Sequence, residues 1–273
     1  MRRVQFRPVK TSTPLIELKA VDRRYETGLL ALQGLNLQLA TGEFISLIGP
    51  SGCGKSTVLR LLAGLDRPTA GQVLCEGEVV KAPTGHTGFV FQEPTLMPWA
   101  NVSTNVELPL RLRGGMSAAQ RDQAARAALA QVGLAEFADA APKELSGGMK
   151  MRAAMARALV TQPSLLLLDE PFGALDEITR FALNESLLQL WRPARAKAPA
   201  FTAVFVTHSL YEAVYLSQRV LVMGARPGRI VDEVVVDAPY PRDASFRSSA
   251  VFAVACSRLS QLLAEASAEP ALG

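Results

Sequence analysis

The sequence predicts an α/β fold, and three observations lead to that prediction. Short apolar runs of strand length recur along the chain between stretches with a helical pattern. One such run, Phe44 to Ile48, ends in a glycine-rich loop that precedes a helical stretch from Val58 to Ala63. With 273 residues, 49% of them hydrophobic, the chain can bury the core of one large α/β domain with a short appendage.

Two strands are expected before this loop. Leu15 to Lys19 reads as a first strand, and Leu35 to Leu39 alternates apolar and polar residues in the way of an edge strand. Tyr25 lies between them, shortly before the loop. Two interpretations remain open for this aromatic residue: stacking on a nucleotide base, or ordinary packing.

The glycine-rich loop is predicted to bind a phosphate. Successive backbone N–H groups in a strand–loop–helix turn point into one concavity at the positive end of a helix dipole. Glycines let the backbone approach the phosphates, Lys55 adds positive charge near the β/γ-phosphates, and Ser56 offers a hydroxyl to Mg²⁺. The predicted nucleotide-binding residues of the loop are Gly49, Pro50, Ser51, Gly52, Cys53, Gly54, Lys55, Ser56 and Thr57.

Gln92 is the next polar residue to which the pattern assigns a role. Short strands are expected at 71–74 and 77–80, and a further strand from Thr87 to Phe91 leads directly to Gln92. Polar residues after the carboxyl ends of strands in an open α/β sheet face the ligand crevice. Gln92 is therefore expected to reach Mg²⁺ or the attacking water, the alternative being a solvated loop residue.

A helical subdomain is predicted as an insertion at about residues 95–160. The stretch after Glu93 is irregular and is punctuated by Pro94, Pro98 and Pro109. An alanine-rich helix with Ser117 as its N-cap is then expected to run to residue 131.

A second anion site is predicted where the next helix begins. This helix runs to Leu159 and starts with Ser146, Gly147 and Gly148. Three N–H groups without helical partners and one hydroxyl converge at such a start. The chain thus offers two phosphate sites.

Two acids follow a run of four leucines, Leu165 to Leu168, that predicts a buried strand. A carboxylate pair at a strand end is what Mg²⁺-dependent phosphoryl transfer needs. Asp169 would belong to the Mg²⁺ shell, and Glu170 would accept a proton from, or orient, the water that attacks the γ-phosphate. The alternative is two surface acids that cap a loop.

The remaining elements include one more candidate site residue and a helical tail. A buried strand from Phe201 to Thr207 ends in His208, which by the same strand-end argument could contact the γ-phosphate. Short strands are expected at 220–223 and 229–234. The tail helix, at residues 248–266, should dock on its own domain or on a partner. Its predicted apolar face comprises Val251, Phe252, Ala255, Leu259, Leu262 and Leu263.

Charge and cysteine content constrain the class of protein. The net charge is +4, and the positive excess is concentrated near the N-terminus. This basic segment is interpreted either as a solvated tail or as a segment that attracts anionic lipid or nucleic acid. Three scattered cysteines support neither a disulfide framework nor a zinc site and fit a reducing cytoplasm. We expect no membrane span and no export signal. The basic residues in question are Arg2, Arg3, Arg7 and Lys10.

Together these motifs resemble the ATP-binding subunit of an ABC transporter over roughly residues 15–238. The discriminating motif is Leu145 to Met149, since the phosphate loop and the acidic strand are common to many P-loop ATPases. The resemblance implies a P-loop NTPase fold of the ABC type, with a mixed sheet core, an antiparallel β portion and the inserted helical subdomain. The ATP-binding domain would span residues 1–240, with a helical tail over 241–273.

The resemblance also implies a head-to-tail homodimer that binds ATP with Mg²⁺. Each ATP would lie between the phosphate loop of one copy and the Ser146-Gly147-Gly148 helix start of the other. Tyr25 then becomes the adenine-stacking residue, Asp176 a dimer contact near the hydrolytic centre, and Gln92 the switch that senses the γ-phosphate.

Within the family, three stretches resemble the importer branch that serves nitrate, sulfonates, taurine and thiamine precursors. They are Phe91 to Trp99, Glu170 to Asp176 and Thr207 to Ala213. This branch implies a membrane permease whose coupling helix is received near residues 94–105, and indirectly a periplasmic or lipid-anchored solute-binding protein. The chain would then lie at the cytoplasmic face of the plasma membrane.

The rival hypothesis is a soluble ABC-type ATPase that acts on nucleic acid or ribosomes through the basic N-terminus. Such proteins usually carry two ATPase units or long coiled-coil insertions, and neither is evident in the sequence, so no nucleic-acid partner is expected. Two departures from the family pattern affect local polar contacts: Met151 replaces a usual Gln, and residues 85–87 replace a common Asp-Arg. A further hypothesis is that alkylation of Cys53, expected beside the bound phosphates, blocks nucleotide binding.

Overall fold

A computed structural model describes residues 14–192 and 200–268. Backbone contacts divide the chain into a first unit, made of residues up to 84 and from 202, and a second unit of residues 85–201. The basic residues near the N-terminus, from which lipid or nucleic-acid attraction was considered, lie outside the described residues. The strands and helices within the described ranges are β1 (Ile16–Arg24), β2 (Leu30–Leu39), β3 (Phe44–Ile48), α1 (Lys55–Leu62), β4 (Ala70–Cys75), β5 (Glu78–Val79), β6 (Thr87–Val90), α2 (Val102–Arg113), α3 (Ala118–Gln131), α4 (Gly147–Leu159), β7 (Leu165–Asp169), α5 (Glu177–Trp191), β8 (Thr202–Val206), α6 (Leu210–Leu216), β9 (Arg219–Gly224), β10 (Arg229–Val235) and α7 (Ala250–Ala268).

The first unit contains an antiparallel sheet with strand order β2-β1-β4-β5. Strand β2 lies at its edge, as the alternating pattern predicts: Leu35, Leu37 and Leu39 are buried, and the residues between them are exposed. One face of β2 therefore packs against the core while the other meets solvent.

The first unit also contains the strand that carries the phosphate loop. Strand β3 pairs in parallel with β8 on one side and β9 on the other, and β10 pairs antiparallel with β9. This arrangement confirms the predicted mixed sheet. Both β3 and β8 are buried along their whole length, which explains why their sequences are apolar runs instead of alternating ones.

The tail helix α7 docks on its own unit, where it contacts α6, β9 and β10. Four members of the predicted apolar face are buried, which supports the first of the two docking alternatives. Val251 is exposed, so its assignment to that face is wrong. It lies in the first turn of the helix, next to the buried Phe252. The buried members are Phe252, Ala255, Leu259 and Leu262.

The second unit contains the parallel pair β6 and β7 and helices α2 to α5. Helix α3 begins after Ser117, whose side chain caps the helix in a reciprocal capping box with Gln120, as predicted in part from the sequence. Helices α2, α3 and α4 share an apolar core. Its buried members are Val102, Val106, Ala125, Ala128, Leu129, Val132, Leu134, Ala138, Leu145, Ala153 and Ala156.

Helix α2 corrects the prediction of an irregular stretch after Glu93. Pro109 lies inside this helix, where a proline removes a hydrogen bond and costs about 3 kcal/mol. Val102, Val106 and Leu110 recur at a spacing of four and are all buried, and each such side chain contributes about 1.5–3 kcal/mol. Tertiary burial therefore outweighs the local penalty. Helices α5 and α6 are also absent from the sequence-based prediction, and the domain boundaries stay predictions.

Candidate functional site

The phosphate loop occupies residues 49–54, between β3 and the start of α1 at Lys55. A Cβ atom on Gly49 would lie 2.5 Å from the carbonyl oxygen of Met223 and 2.8 Å from the sulfur of Cys53. Gly54 caps α1 with φ +95°, a conformation that strains other residues. The geometry therefore demands glycine at both ends of the loop.

Lys55 turns its ammonium group back into the loop. Its side chain is only 6% exposed, and Nζ donates hydrogen bonds to the carbonyl oxygens of Gly49 at 2.9 Å and Pro50 at 3.2 Å. The helix start and this cation together make the concavity positive. A glycine-lined cradle of this kind fits the phosphates of a nucleotide.

The predicted base-stacking residue lies at the start of the same helix. Tyr25 follows β1 and is partly buried, and its hydroxyl lies 3.1 Å from the side-chain oxygen of Thr57. Thr57 is buried in the first turn of α1, next to the exposed Ser56 that is predicted to bind Mg²⁺. Tyr25 and the phosphate loop therefore lie at the same end of helix α1 in the first unit.

Cys53 lies inside the loop and is fully buried. Its sulfur lies 3.8 Å from Nζ of Lys55. Burial raises the pKa of the Cys53 thiol, an effect that the nearby ammonium only partly offsets. Alkylation of this thiol therefore requires the loop to open first.

His208 emerges at the same sheet edge as the phosphate loop. Leu47 of β3 pairs in parallel with Val206 of β8, so the residues after both strands leave the sheet on one side. The hydroxyl of Thr207 donates to the buried carboxylate of Glu212 and accepts the backbone N–H of Ser209 at 3.0 Å. This network holds the backbone on either side of His208.

Glu212 is a buried acid beside the candidate residue His208, and no role was assigned to it from the sequence. The signal was present, because Glu212 is an acid within the otherwise mostly apolar helix α6. An acid buried in such a helix needs a polar partner, and Thr207 provides one.

The second unit carries the two predicted acids. The four leucines of β7 are buried, Asp169 is the last residue of the strand, and Glu170 follows it. The backbone of Glu170 has φ +47°, a left-handed conformation that a glutamate rarely adopts. Strain of this kind is concentrated at functional sites, which makes Glu170 a candidate on geometry as well as on sequence.

Gln92 lies at the same edge of the β6–β7 pair as these acids. Val90 pairs in parallel with Leu168, and Gln92 follows β6 by two residues. The structure thus brings Gln92, Asp169 and Glu170 to neighbouring strand ends. Oxygen donors from a hydroxyl, an amide and a carboxylate suit Mg²⁺, so the predicted ligands Ser56, Gln92 and Asp169 fit that ion chemically.

The helix start at Ser146 and the predicted dimer contact Asp176 lie together on the second unit. Ser146 caps α4 by accepting the N–H of Met149 at 3.3 Å, and Ser146 and Gly147 are exposed. A Cβ atom on Gly148 would lie 2.7 Å from the methyl carbon of Thr179, so a glycine here lets α4 approach α5.

Asp176 caps α5. Its carboxylate accepts hydrogen bonds from the backbone and the hydroxyl of Thr179 at 2.9 and 2.6 Å, and these bonds hold the pKa of Asp176 below its usual range. The residue is exposed. The side chain is therefore ionised at neutral pH and accessible to a partner surface.

A cavity of about 440 Å³ lies beside the segment that follows Gln92. The buried amide of Asn105 binds the backbone of Met97, Ala100 and Asn101 and so holds the rim of the cavity. Trp99 lies on this rim and is 83% exposed. The residues lining the cavity are Met97, Trp99, Ala100, Asn101, Thr104, Leu108 and Arg111.

The predicted site residues thus fall into two groups. The first unit carries Tyr25, the phosphate loop and His208, and the second carries Gln92, the Ser146 helix start, the acids after β7 and Asp176. Across residues 14–192 and 200–268 there is no group of three or more His, Cys, Asp or Glu side chains that could hold a metal ion. In the same ranges no helix has the length and apolar character needed to cross a membrane.

Comparison with known proteins places this site in a family. The family described as ABC transporter matches residues 32–173. An aliphatic sulfonates import ATP-binding protein, SsuB 1 of Xanthomonas axonopodis pv. citri, is 45% identical over 236 residues, which cover 86% of this chain and 91% of the relative. An uncharacterised ABC transporter ATP-binding protein of Methanocaldococcus jannaschii is 49% identical over 213 residues, covering 78% of each chain.

Among solved structures, the chain is similar to the ATP-binding cassette MJ0796, described as a dimer in a post-hydrolysis state bound to ADP and Pi. The TM-score is 0.71 with 34% sequence identity, and the match covers 82% of this chain and 100% of the other. The predicted ABC-type fold is therefore confirmed.

Proposed function

This chain belongs to the ABC transporter family as an ATPase, and on that premise we propose that it energises the import of a small solute. The observation that carries the proposal is the structure of the phosphate loop. The ammonium group of Lys55 is buried against the loop backbone, and position 49 has no space for a side chain larger than that of glycine. Similarity to an aliphatic sulfonates import protein over nearly the whole chain supports import as the direction of transport.

We assign the hydrolytic roles to four side chains and the binding of Mg²⁺ to three. Lys55 binds the β/γ-phosphates, Glu170 accepts a proton from or orients the attacking water, His208 contacts the γ-phosphate, and Gln92 senses it. Mg²⁺, held by Ser56, Gln92 and Asp169, would neutralise charge on the phosphates. Support comes from the strained backbone of Glu170 and from the two strand edges at which these residues emerge.

We further propose that two copies form a head-to-tail dimer that shares its ATP sites. Ser146 and Gly147 expose a helix start, with N–H groups that an isolated helix leaves without partners. Such a start suits the phosphate of a nucleotide bound to another copy, and the ionised Asp176 lies nearby as a contact. The dimeric state described for the similar cassette MJ0796 supports this arrangement.

The permease partner would dock at the cavity beside Trp99. An aromatic side chain that is 83% exposed at the rim of a cavity is the type of residue found at the centre of protein interfaces. Docking there would hold the chain at the cytoplasmic face of the membrane, with a solute-binding protein on the other side. Sulfonate, taurine, nitrate and a thiamine precursor are the proposed solute classes. The transporter relatives give the nucleic-acid alternative no support.

Two substitutions test the ATPase assignment. Glu170→Gln should bind ATP with nearly unchanged affinity but hydrolyse it about 10²–10⁴-fold more slowly, since a general base is lost. Lys55→Ala should lose affinity for ATP. Binding is measured by calorimetry and turnover by phosphate release, with Glu177→Gln, an exposed acid at the start of α5, as the matched control. Hydrolysis at the wild-type rate by Glu170→Gln would reject the assigned base.

A further inference from the structure

One face of the Tyr25 ring is covered by a cation. The guanidinium carbon of Arg23 lies 4.6 Å from the centre of the ring. This distance is within the range of a cation–π interaction, in which the positive charge is attracted to the negative face of an aromatic ring.

Arg23 is itself held in place by Asp66. Nε of Arg23 donates to one carboxylate oxygen at 3.0 Å, and a terminal nitrogen lies 2.8 Å from the other, so the pair is bidentate. Both side chains are largely buried, with 20% and 16% of their surfaces exposed. An exposed pair would contribute little, but this one fixes the plane of the guanidinium.

The contacts attach the ring to both ends of helix α1. The hydroxyl of Tyr25 lies 3.1 Å from Thr57 in the first turn. Asp66 follows the last turn, and its backbone N–H donates to the carbonyl of Arg60 at 3.2 Å. The orientation of the ring is therefore tied to the same helix that begins at the phosphate loop.

We propose that Arg23 and Asp66 are positioning residues for the nucleotide base. Arg23 covers one face of the Tyr25 ring, so a base must stack on the opposite face, and the bidentate pair keeps the ring in that orientation. This inference rests on the proposed ATPase function. It extends that function because it gives Arg23, which contacts the Tyr25 ring and not the nucleotide, a part in recognition of the base. The ligand class is a nucleoside triphosphate with a stacking base.

The test separates recognition of the base from recognition of the phosphates. The affinity of each variant for ATP with Mg²⁺ is measured by calorimetry. The affinity for inorganic tripolyphosphate, which has no base, is measured by displacement of a fluorescent ATP analogue. Arg23→Gln should weaken ATP binding about two- to five-fold and leave tripolyphosphate binding unchanged, because a cation–π contact is lost while the phosphate loop is intact.

Companion variants define the expected pattern. Asp66→Asn should weaken ATP binding in the same selective way, since it keeps the charge of Arg23 but releases its orientation. Tyr25→Ala should lose at least about five-fold in ATP affinity with no change for tripolyphosphate. Arg24→Gln is the matched control: Arg24 is an exposed neighbour of equal charge that donates to the carbonyl of Gly28 at 2.8 Å, and its loss should change neither affinity.

Two outcomes would overturn the inference. If Arg23→Gln weakens ATP and tripolyphosphate equally, the residue acts through the general structure of the first unit. If it changes neither affinity while the protein remains folded by circular dichroism, it has no role in binding. Failure of the proposed function itself is distinguishable, because the wild-type chain would then bind neither ATP nor tripolyphosphate.

Discussion

The guanidinium of Arg157 donates hydrogen bonds to both the carbonyl oxygen and the hydroxyl of Thr95, each at 2.9 Å. A third bond reaches the carbonyl oxygen of Pro94 at 2.7 Å. Thr95 has φ +47°, so this cation stabilises a turn that a threonine rarely adopts. Burial lowers the pKa of Arg157, because its charge is partly removed from water. The segment after Gln92 is thereby attached to the helix that begins at Ser146.

Replacement of Arg157 should destabilise the protein. Arg157→Gln removes charge-assisted hydrogen bonds to three oxygens and should lower the free energy of unfolding by about 1–3 kcal/mol. Arg152→Gln on the same helix is the control, since its bonds to the carbonyls of Val132 and Gly133 are longer, at 3.2 and 3.5 Å. Urea denaturation measures the free energy of unfolding of both variants. An equal decrease in Arg157→Gln and Arg152→Gln would contradict the assigned role of Arg157.

Glycine at the first position of the phosphate loop should be indispensable. In Gly49→Ala the new Cβ would meet the backbone oxygen of Met223 at 2.5 Å, so the loop must shift, and ATP affinity should fall at least about ten-fold. Gly52→Ala is the comparison, because no atom lies within 4 Å of its Cβ position and only its φ of +76° opposes the change. If calorimetry finds Gly52→Ala the more damaging of the two, steric crowding does not explain Gly49.

Close packing of two helix starts should depend on Gly148. The Cβ of Gly148→Ala would lie 2.7 Å from a methyl group of Thr179 on α5, a crowding that typically costs about 1–3 kcal/mol. Gly147→Ala should be milder, since its nearest contact is a flexible methyl of Leu175 at 3.3 Å. Thermal unfolding of both variants measures the difference, and an unchanged midpoint for Gly148→Ala would show that the helices can separate without cost.

Alkylation of Cys53 should be slow and strongly dependent on pH. Burial raises the thiol pKa, so the reactive thiolate forms only at higher pH than in an ordinary cysteine with pKa about 8.5. The rate of iodoacetamide labelling is followed by peptide mass spectrometry as the pH is raised. It should still increase at pH values where the labelling rate of an ordinary free thiol no longer changes. Once modified, the loop should no longer bind ATP, and Cys53→Ser is the control. Rapid labelling at neutral pH would indicate that the thiol is accessible.

Mixing two inactive variants should restore activity if the ATP site is shared between copies. Lys55→Ala lacks the phosphate-binding cation and Ser146→Arg blocks the helix start, but a mixed dimer contains one site with both intact. An equal mixture should recover roughly a quarter of the wild-type ATPase activity, since half of the dimers are mixed and each has one good site of two. No recovery, with mixed dimers verified by mass spectrometry, would place both residues in one copy.

The local elements near the site follow from sequence patterns because they depend on short-range rules. Four consecutive leucines before Asp169 predict a buried strand, and the structure has β7 there. Ser117 and Ser146 precede alanine- and glycine-rich helical stretches, and both are N-caps. A capping hydroxyl or an apolar run acts within a few residues. Its effect on secondary structure can therefore be predicted from the sequence without knowledge of the rest of the fold.

Other features needed the tertiary structure. Helix α2 forms although Pro109 interrupts its hydrogen bonding, because residues distant in sequence bury Val102 and Val106. Glu212, Arg157 and Asp66 look like ordinary surface charges in the sequence, and only their burial and partners give them roles. Val251 has the right spacing for the buried face of α7, yet it lies exposed.

By itself, the sequence determined that a glycine-rich loop follows a buried strand, that a helix starts at Ser146-Gly147-Gly148, and that two acids stand at the end of another strand. These are properties of contiguous residues. Only the tertiary structure showed why position 49 cannot hold a larger residue, that Arg23 covers one face of the Tyr25 ring, and which turn Arg157 stabilises. The crowding at Gly49 and the turn held by Arg157 depend on atoms of distant elements, and the orientation of Arg23 depends on Asp66, 43 residues away. Contacts between distant residues leave no local pattern in the chain.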